Sequence, residues 1–276
     1  MGAVLWGGQA AKVATGKVRS ELRKAGPLSS ALSMDLKKNT LLNGGLYLLA
    51  LIGTCVAQLR GLHTLEFICK PLLMIILSSW FFFNSRRVGD RFTLLVQAGL
   101  FFSLIGDVAL MFTYMDDFNF LIGLGCFFLA QLCYAFAFAQ NIADVGGSGG
   151  MLVSVLIAFC IGTYAFFFSW DLMPHLEEGL GVPVTAYVVA IALMGILAGF
   201  RFQRTYPRSF WLVFIGSLLF LGSDSMLAWD RFRFPMYQAA VWITITYAIA
   251  QFMIAAGALA HVLDPDNLRR REALTT

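Results

Sequence analysis

The sequence predicts an all-α membrane protein, a bundle of about eight transmembrane helices, and three observations carry that reading. The chain is 59% apolar and only 13% charged, whereas a soluble globular chain carries about 25% charged residues. Apolar runs long enough to cross a hydrocarbon core, roughly 17–25 residues each, recur along almost the whole length. The breaks between these runs hold the charges and the turn-forming residues.

Taken in order, the spans fall at about 41–59, 65–83, 92–113, 118–140, 151–170, 183–200, 210–228 and 237–261. The second ends before Arg86-Arg87-Val88-Gly89-Asp90, and the third before Met115-Asp116-Asp117. The fourth runs toward Val145–Gly150, and the fifth stops at the segment from Asp171 to Gly181. Arg201 to Arg208 follows the sixth, and Asp230 to Pro235 follows the seventh. Residues 1–40 form a separate unit, a basic arm expected to be poorly ordered, with seven of the 20 basic residues and no long apolar stretch. No apolar core follows its first charges, so a cleaved signal peptide is not expected; a membrane-surface arm or an organellar transit peptide fits better. Residues 262–276 form a short basic tail. Nothing here resembles a nucleic-acid module, and no nucleic-acid partner is expected; membrane lipids are.

Charge placement gives an orientation. With the N-terminus in the cytoplasm, 16 basic residues fall on the cytoplasmic side and three, Arg60, Arg231 and Arg233, on the other. That is a clear positive-inside bias, so both termini are expected to face the cytoplasm. The five cysteines all lie in apolar runs without metal-site spacing and read as packing residues.

An even span count permits two four-helix halves in parallel repeat. A shift of 117 residues places Arg87 on Arg204, Arg91 on Arg208, Gly99 on Gly216, Asp107 on Asp224 and Leu110 on Leu227. Five matches over one helix are a modest signal, but they pair the two most informative residues in the chain.

Asp107 and Asp224 each lie well inside an otherwise apolar span. A carboxyl in hydrocarbon costs several kcal/mol, so it faces the bundle interior and has a partner or a task. Each lies about 15 residues along its helix, ~22 Å from the cytoplasmic end at 1.5 Å per residue. Lys70 enters from the opposite side, about five residues into its own helix, so three ionisable groups are expected near one level. A buried ion pair fixing helix register explains one carboxylate and leaves the second without a role. Two nearby carboxylates beside one lysine tend instead to divide the roles of proton donor and charged partner. Tyr134, Tyr187 and Tyr247 are secondary candidates for hydrogen bonding a polar ligand, with core packing as the simpler reading. Gln131 and Gln251 read as interhelical glue, and Glu66 as an interfacial residue or a partner for Lys70. The histidines His63, His175 and His261 fall at or beyond span ends and form no metal constellation. Serine-hydrolase, zinc-hydrolase and phosphate-loop motifs are all missing.

Several short motifs stand in order along the spans: Lys70-Pro71, Gly106-Asp107, Tyr134-Ala135 with Phe138, Ser223-Asp224 with Leu227-Ala228, and the helix from Tyr247 to Gln251. The loop Phe232-Arg233-Phe234-Pro235 joins them. On these the chain resembles the YhhN-like family, whose characterised animal members are lysoplasmalogenases, over most of residues 41–261. One departure is Gln131, where the family often has a histidine three residues before the fourth-helix tyrosine.

The resemblance implies hydrolysis of the vinyl ether bond of a lysophospholipid substrate, a lysoplasmalogen. The products would be a fatty aldehyde and glycerophosphoethanolamine or glycerophosphocholine. No metal or organic cofactor is called for. In a eukaryotic cell, the endoplasmic reticulum membrane is the expected location. Asp107 and Asp224 are then the expected catalytic pair, with Lys70, Tyr134, Tyr187, Tyr247 and Gln251 binding substrate or tuning them. Two readings from other classes stay open. A proton-coupled transporter also places carboxylates and a lysine at one depth, although Pro71 has no counterpart at Val188. An intramembrane aspartyl protease also needs two carboxylates, but Leu104 stands where its Gly-x-Gly-Asp motif requires glycine.

Overall fold

The computed structural model describes residues 39–85, 90–145 and 149–264. Eight helices long and apolar enough to cross a membrane occupy nearly all of them. They are α1 (Thr40–Arg60), α2 (His63–Ser85), α3 (Arg91–Met111), α4 (Phe118–Val145), α5 (Met151–Leu172), α6 (Gly181–Phe200), α7 (Pro207–Phe232) and α8 (Ala239–Val262), with a 3-10 turn at Met173–His175. The arm and the tail read from the sequence lie almost entirely outside the described residues.

Local chemistry explains the ends. The Asn39 side chain accepts from the backbone N–H groups of Leu41 and Leu42, and Asp90 accepts from that of Thr93, satisfying donors that a first helical turn leaves free. Gly61 takes the left-handed conformation, φ 65°, that closes α1 and turns the chain into α2. Proline at the first position of α7 has the φ a helix start needs and lacks the N–H that would go unpaired. The largest differences from the expected extents are in α4, which continues to Val145, and α7, which covers 207–232; the other helix ends, such as that of α3 at Met111, move by one or two residues. An apolar window ends at the first charge, whereas helical hydrogen bonding continues past it into the interface.

α3 packs most closely on α4 and α7 on α8, and α1 on α2 and α5 on α6 come next among sequential pairs. The same order of packing in the two halves fits the 117-residue repeat. The α3–α4 and α7–α8 seams also rest on equivalent glycines. A methyl on Gly99 would sit 2.5 Å from the Tyr134 ring, and one on Gly216 would sit 3.0 Å from the Ala250 carbonyl oxygen. Small residues let helix backbones approach where no hydrophobic force drives association. α8 is the most enclosed helix and α5 the least, so α5 presents its aromatic face to lipid while α8 supplies polar side chains to the interior.

Candidate active site

Asp107 projects from α3 into the bundle and is 3% exposed. The Tyr247 hydroxyl on α8 donates to its Oδ2 at 2.7 Å. Tyr247 is held in place by edge-to-face packing against Phe127 and Phe220, with ring centroids 5.8 and 5.4 Å away. Phe127 in turn lies flat on α3 because residue 106 is glycine, where a methyl would come within 2.8 Å of its ring. One helical turn beyond Tyr247, the Gln251 amide donates to Ser103 at 2.9 Å and approaches the Tyr247 hydroxyl at 3.4 Å. Its oxygen accepts from Tyr134 at 2.8 Å. Asp107, Tyr247, Gln251, Tyr134 and Ser103 thus form one continuous buried network.

Asp224 forms a second centre on α7, where its Oδ2 accepts from the Tyr187 hydroxyl of α6. The two aspartates are close enough for their charges to interact, and Lys70 on α2 is close enough to act on Asp107. Lys70 makes no ion pair within 4.0 Å among the described residues. Glu66 does not bond Lys70 but accepts from Gln58 at 3.0 Å.

The two centres differ in access. A narrow cavity of about 50 Å³ lies between α4, α5, α6 and α7, and its walls include Asp224, Tyr187 and Ser225. Asp107, Tyr247 and Lys70 are not in those walls; Phe127 is, with the Tyr247 ring packed against it. The rest of the lining is largely apolar, running from Leu221 and Ile191 to Phe120 and Phe232 at the end opposite the described termini. Ligand sites commonly combine such an apolar body with a few placed polar groups. Tyr164 donates to Ser225 at 2.7 Å, bridging α5 and α7 beside Asp224.

The YhhN family model matches residues 65–258, which carry both aspartates and the whole network. The chain belongs to the YhhN family. It is 31% identical over 198 residues to the lysoplasmalogenase TMEM86A of Bos taurus, covering 69% of this chain and 76% of that one. It is 30% identical over 191 residues to lysoplasmalogenase TMEM86B of Rattus norvegicus, covering 69% and 71%. It is 34% identical over 149 residues to a lysoplasmalogenase of Mycobacterium bovis, covering 54% of each. No solved structure matches.

Within this YhhN-family chain, the structure gathers six of the seven sequence candidates into two hydrogen-bonded groups and places Lys70 beside one of them. It also shows residues that the sequence left unremarked. Ser103 joins the network, and the Tyr47 hydroxyl donates to the Ala248 carbonyl at 2.8 Å. Gln131, read as glue, is fully buried with its amide beside the Tyr187 hydroxyl. His261, read as lying at a span end, is buried in α8 and pairs with Asn141 at 2.7 Å. Arg201, read as a loop charge, is fully buried, donates to Ser209 at 2.8 Å and lies over the Phe138 ring. Only three-dimensional packing distinguishes these residues from their neighbours.

Proposed function

We propose that the chain hydrolyses the vinyl ether bond of lysoplasmalogens, giving a fatty aldehyde and glycerophosphoethanolamine or glycerophosphocholine, with Asp107 and Asp224 as the working carboxylates. The observation that carries this reading is Asp224 on the wall of an otherwise apolar cavity, hydrogen-bonded to Tyr187 and electrostatically coupled to a second, enclosed aspartate. Relatives named lysoplasmalogenase, at about 30% identity over 69% of the chain, point the same way.

Asp224 is the proposed proton donor, since it borders the space a substrate can occupy. Its proton goes to the outer carbon of the double bond, leaving an oxocarbenium-like cation on the carbon attached to oxygen. Water adds to that carbon while the Asp224 carboxylate accepts the proton released, restoring the acid. The hemiacetal then collapses, with its hydroxyl proton passing to the departing glycerol oxygen. Asp107, beside Lys70, stays charged and favours the cation from behind Tyr247 and Phe127. The logic parallels glycoside hydrolysis, which also uses two carboxyls around an oxocarbenium-like transition state. The alkenyl chain leaves between α5 and α7, where Tyr164 and Ser225 bridge the lipid-facing wall.

The test is aldehyde release from lysoplasmalogen by purified protein in detergent. The transporter reading keeps one supporting observation: Tyr134 and Gln251, 117 residues apart, bond each other across the two halves. Proton-linked flux in liposomes without bond cleavage would move the chain to that class.

A further inference from the structure

We infer that Arg231 and Arg233, at the Phe232 end of the Asp224 cavity, hold the phosphate of a single-chain phospholipid whose reacting bond lies beside Asp224; the inference rests on the reading above. The cavity runs along α7 from Leu221 to Phe232, so one end of it lies at the end of α7 where both arginines stand, just outside its walls. The Arg231 guanidinium sits 5.3 Å from the centre of the Phe120 ring, and that ring is itself part of the cavity wall. Arg231 pairs with Asp117, just before α4, at 2.6 Å. Arg233 pairs with Asp171 of α5. The two ion pairs therefore tie α7 to α4 on one side of that end and to α5 on the other.

Both pairs are partly exposed, and exposed ion pairs contribute little to stability, so an incoming phosphate displaces either carboxylate at small cost. A guanidinium binds phosphate through two parallel hydrogen bonds, which a single carboxylate contact does not saturate. Trp229, on the same turn of α7, has a buried indole N–H with no acceptor among the described residues. The spacing also fits. Asp224 and Arg231 are seven residues apart, ~10 Å along the helix. A glycerol-length spacer between vinyl carbon and phosphorus spans about 6–7 Å by ordinary bond lengths, and the arginine side chain covers the rest. Arg201, another conspicuous cation, is fully buried and outside the walls of this cavity, so a phosphate at the cavity's end does not meet it.

The experiment is calorimetric binding to the full chain in detergent, using ligands that cannot be cleaved. These are a saturated 1-O-alkyl lysophosphoethanolamine, the matching 1-O-alkylglycerol without phosphate, and inorganic phosphate. Wild-type protein should bind the phospholipid about tenfold or more tightly than the alkylglycerol, as a hydrogen-bonded charge contact implies. R231Q and R233Q should each remove most of that preference and leave alkylglycerol binding unchanged. D117N, which frees Arg231 from its internal partner, should tighten the phospholipid; a loop-stapling role predicts the opposite. Inorganic phosphate should not displace the lipid at millimolar concentration. Equal wild-type affinity for the two lipids, parallel losses on both in the arginine variants, weakening by D117N, or displacement by free phosphate would each overturn the inference. Because no ligand is hydrolysed, failure here is separate from a failure to release aldehyde.

Discussion

Replacing either aspartate by asparagine is the most direct probe of the chemistry, because the structure shows how little else the change disturbs. In each case one side-chain oxygen accepts a tyrosine hydroxyl, from Tyr247 at Asp107 and from Tyr187 at Asp224. An asparagine carbonyl accepts the same bond, so the loss at the charged Asp107 is from a charge-assisted to a neutral hydrogen bond, about 1 kcal/mol of stability, and at the protonated Asp224 it is smaller. A eight-helix bundle absorbs that, and a detergent melting curve checks it. Activity should fall far more: proton transfer by a placed side chain contributes about 10²- to 10⁴-fold, or ~3–5 kcal/mol of barrier. D224N removes the donor itself, and D107N removes the charge facing the cation. Groups acting as a unit are strongly non-additive, so the double variant should be little worse than the worse single one. The assay is initial-rate aldehyde release under saturating lysoplasmalogen. Wild-type rates from both single variants would remove these residues from the chemistry. A double variant showing the full product of the two single losses would show that they act separately.

The tyrosines should separate by position. Tyr187→Phe, in the cavity wall, should lower kcat by about tenfold with KM affected, and Tyr247→Phe, away from it, should lower kcat alone; a neutral buried hydrogen bond lost is ~1 kcal/mol, and steady-state kinetics decides. Gly216→Ala should destabilise the bundle by about 1–3 kcal/mol, because the new methyl would meet the Ala250 carbonyl oxygen and the Ile254 amide nitrogen at 3.0 and 3.1 Å. Gly222→Ala, with nothing within 4 Å, is the matched control, and an equal melting shift in both would refute the packing argument. A reporter fused after Thr276 should read as cytoplasmic, as should one in the Arg201–Arg208 loop; a tail on the opposite face would overturn the charge count.

The eight spans were readable because lipid requires each crossing to be a continuous apolar helix with its backbone bonds satisfied internally. That requirement leaves little freedom except at the ends, where α4 and α7 outrun their apolar windows. The aspartates were readable for the same reason: a carboxyl is conspicuous in hydrocarbon. The partners Tyr247, Gln251, Tyr134 and Tyr187 could be named as candidates but not paired. Pairing depends on which helix faces which, and buried tyrosine looks alike in a core and in a site. Gln131, Arg201 and the Asn141–His261 contact escaped because a glutamine in a span, or a basic residue at its end, has an ordinary explanation in one dimension. The difference in access between Asp224 and Asp107 was also illegible, since it turns on where Phe127 and Tyr247 pack.

That difference becomes intelligible once the repeat is followed into the structure. The displacement that carries Asp107 onto Asp224 also carries Lys70 onto Tyr187, and Tyr134 onto Gln251. The equivalent helix pairs α2–α3 and α6–α7 therefore each bring one residue toward a buried aspartate, a cation in the first half and a neutral hydroxyl donor in the second. A symmetric site with lysine at both positions would favour two charged carboxylates and leave no proton to give. One with tyrosine at both would leave no fixed charge to balance. In the proposed mechanism acid/base work needs two like groups in unlike surroundings; the 117-residue repeat would supply the like groups, and differences such as Lys70 against Tyr187 and Ala130 against Tyr247 the unlike surroundings. The cavity borders Asp224, the proposed proton donor, on the side with the neutral Tyr187 hydroxyl, while Lys70 acts on the enclosed Asp107.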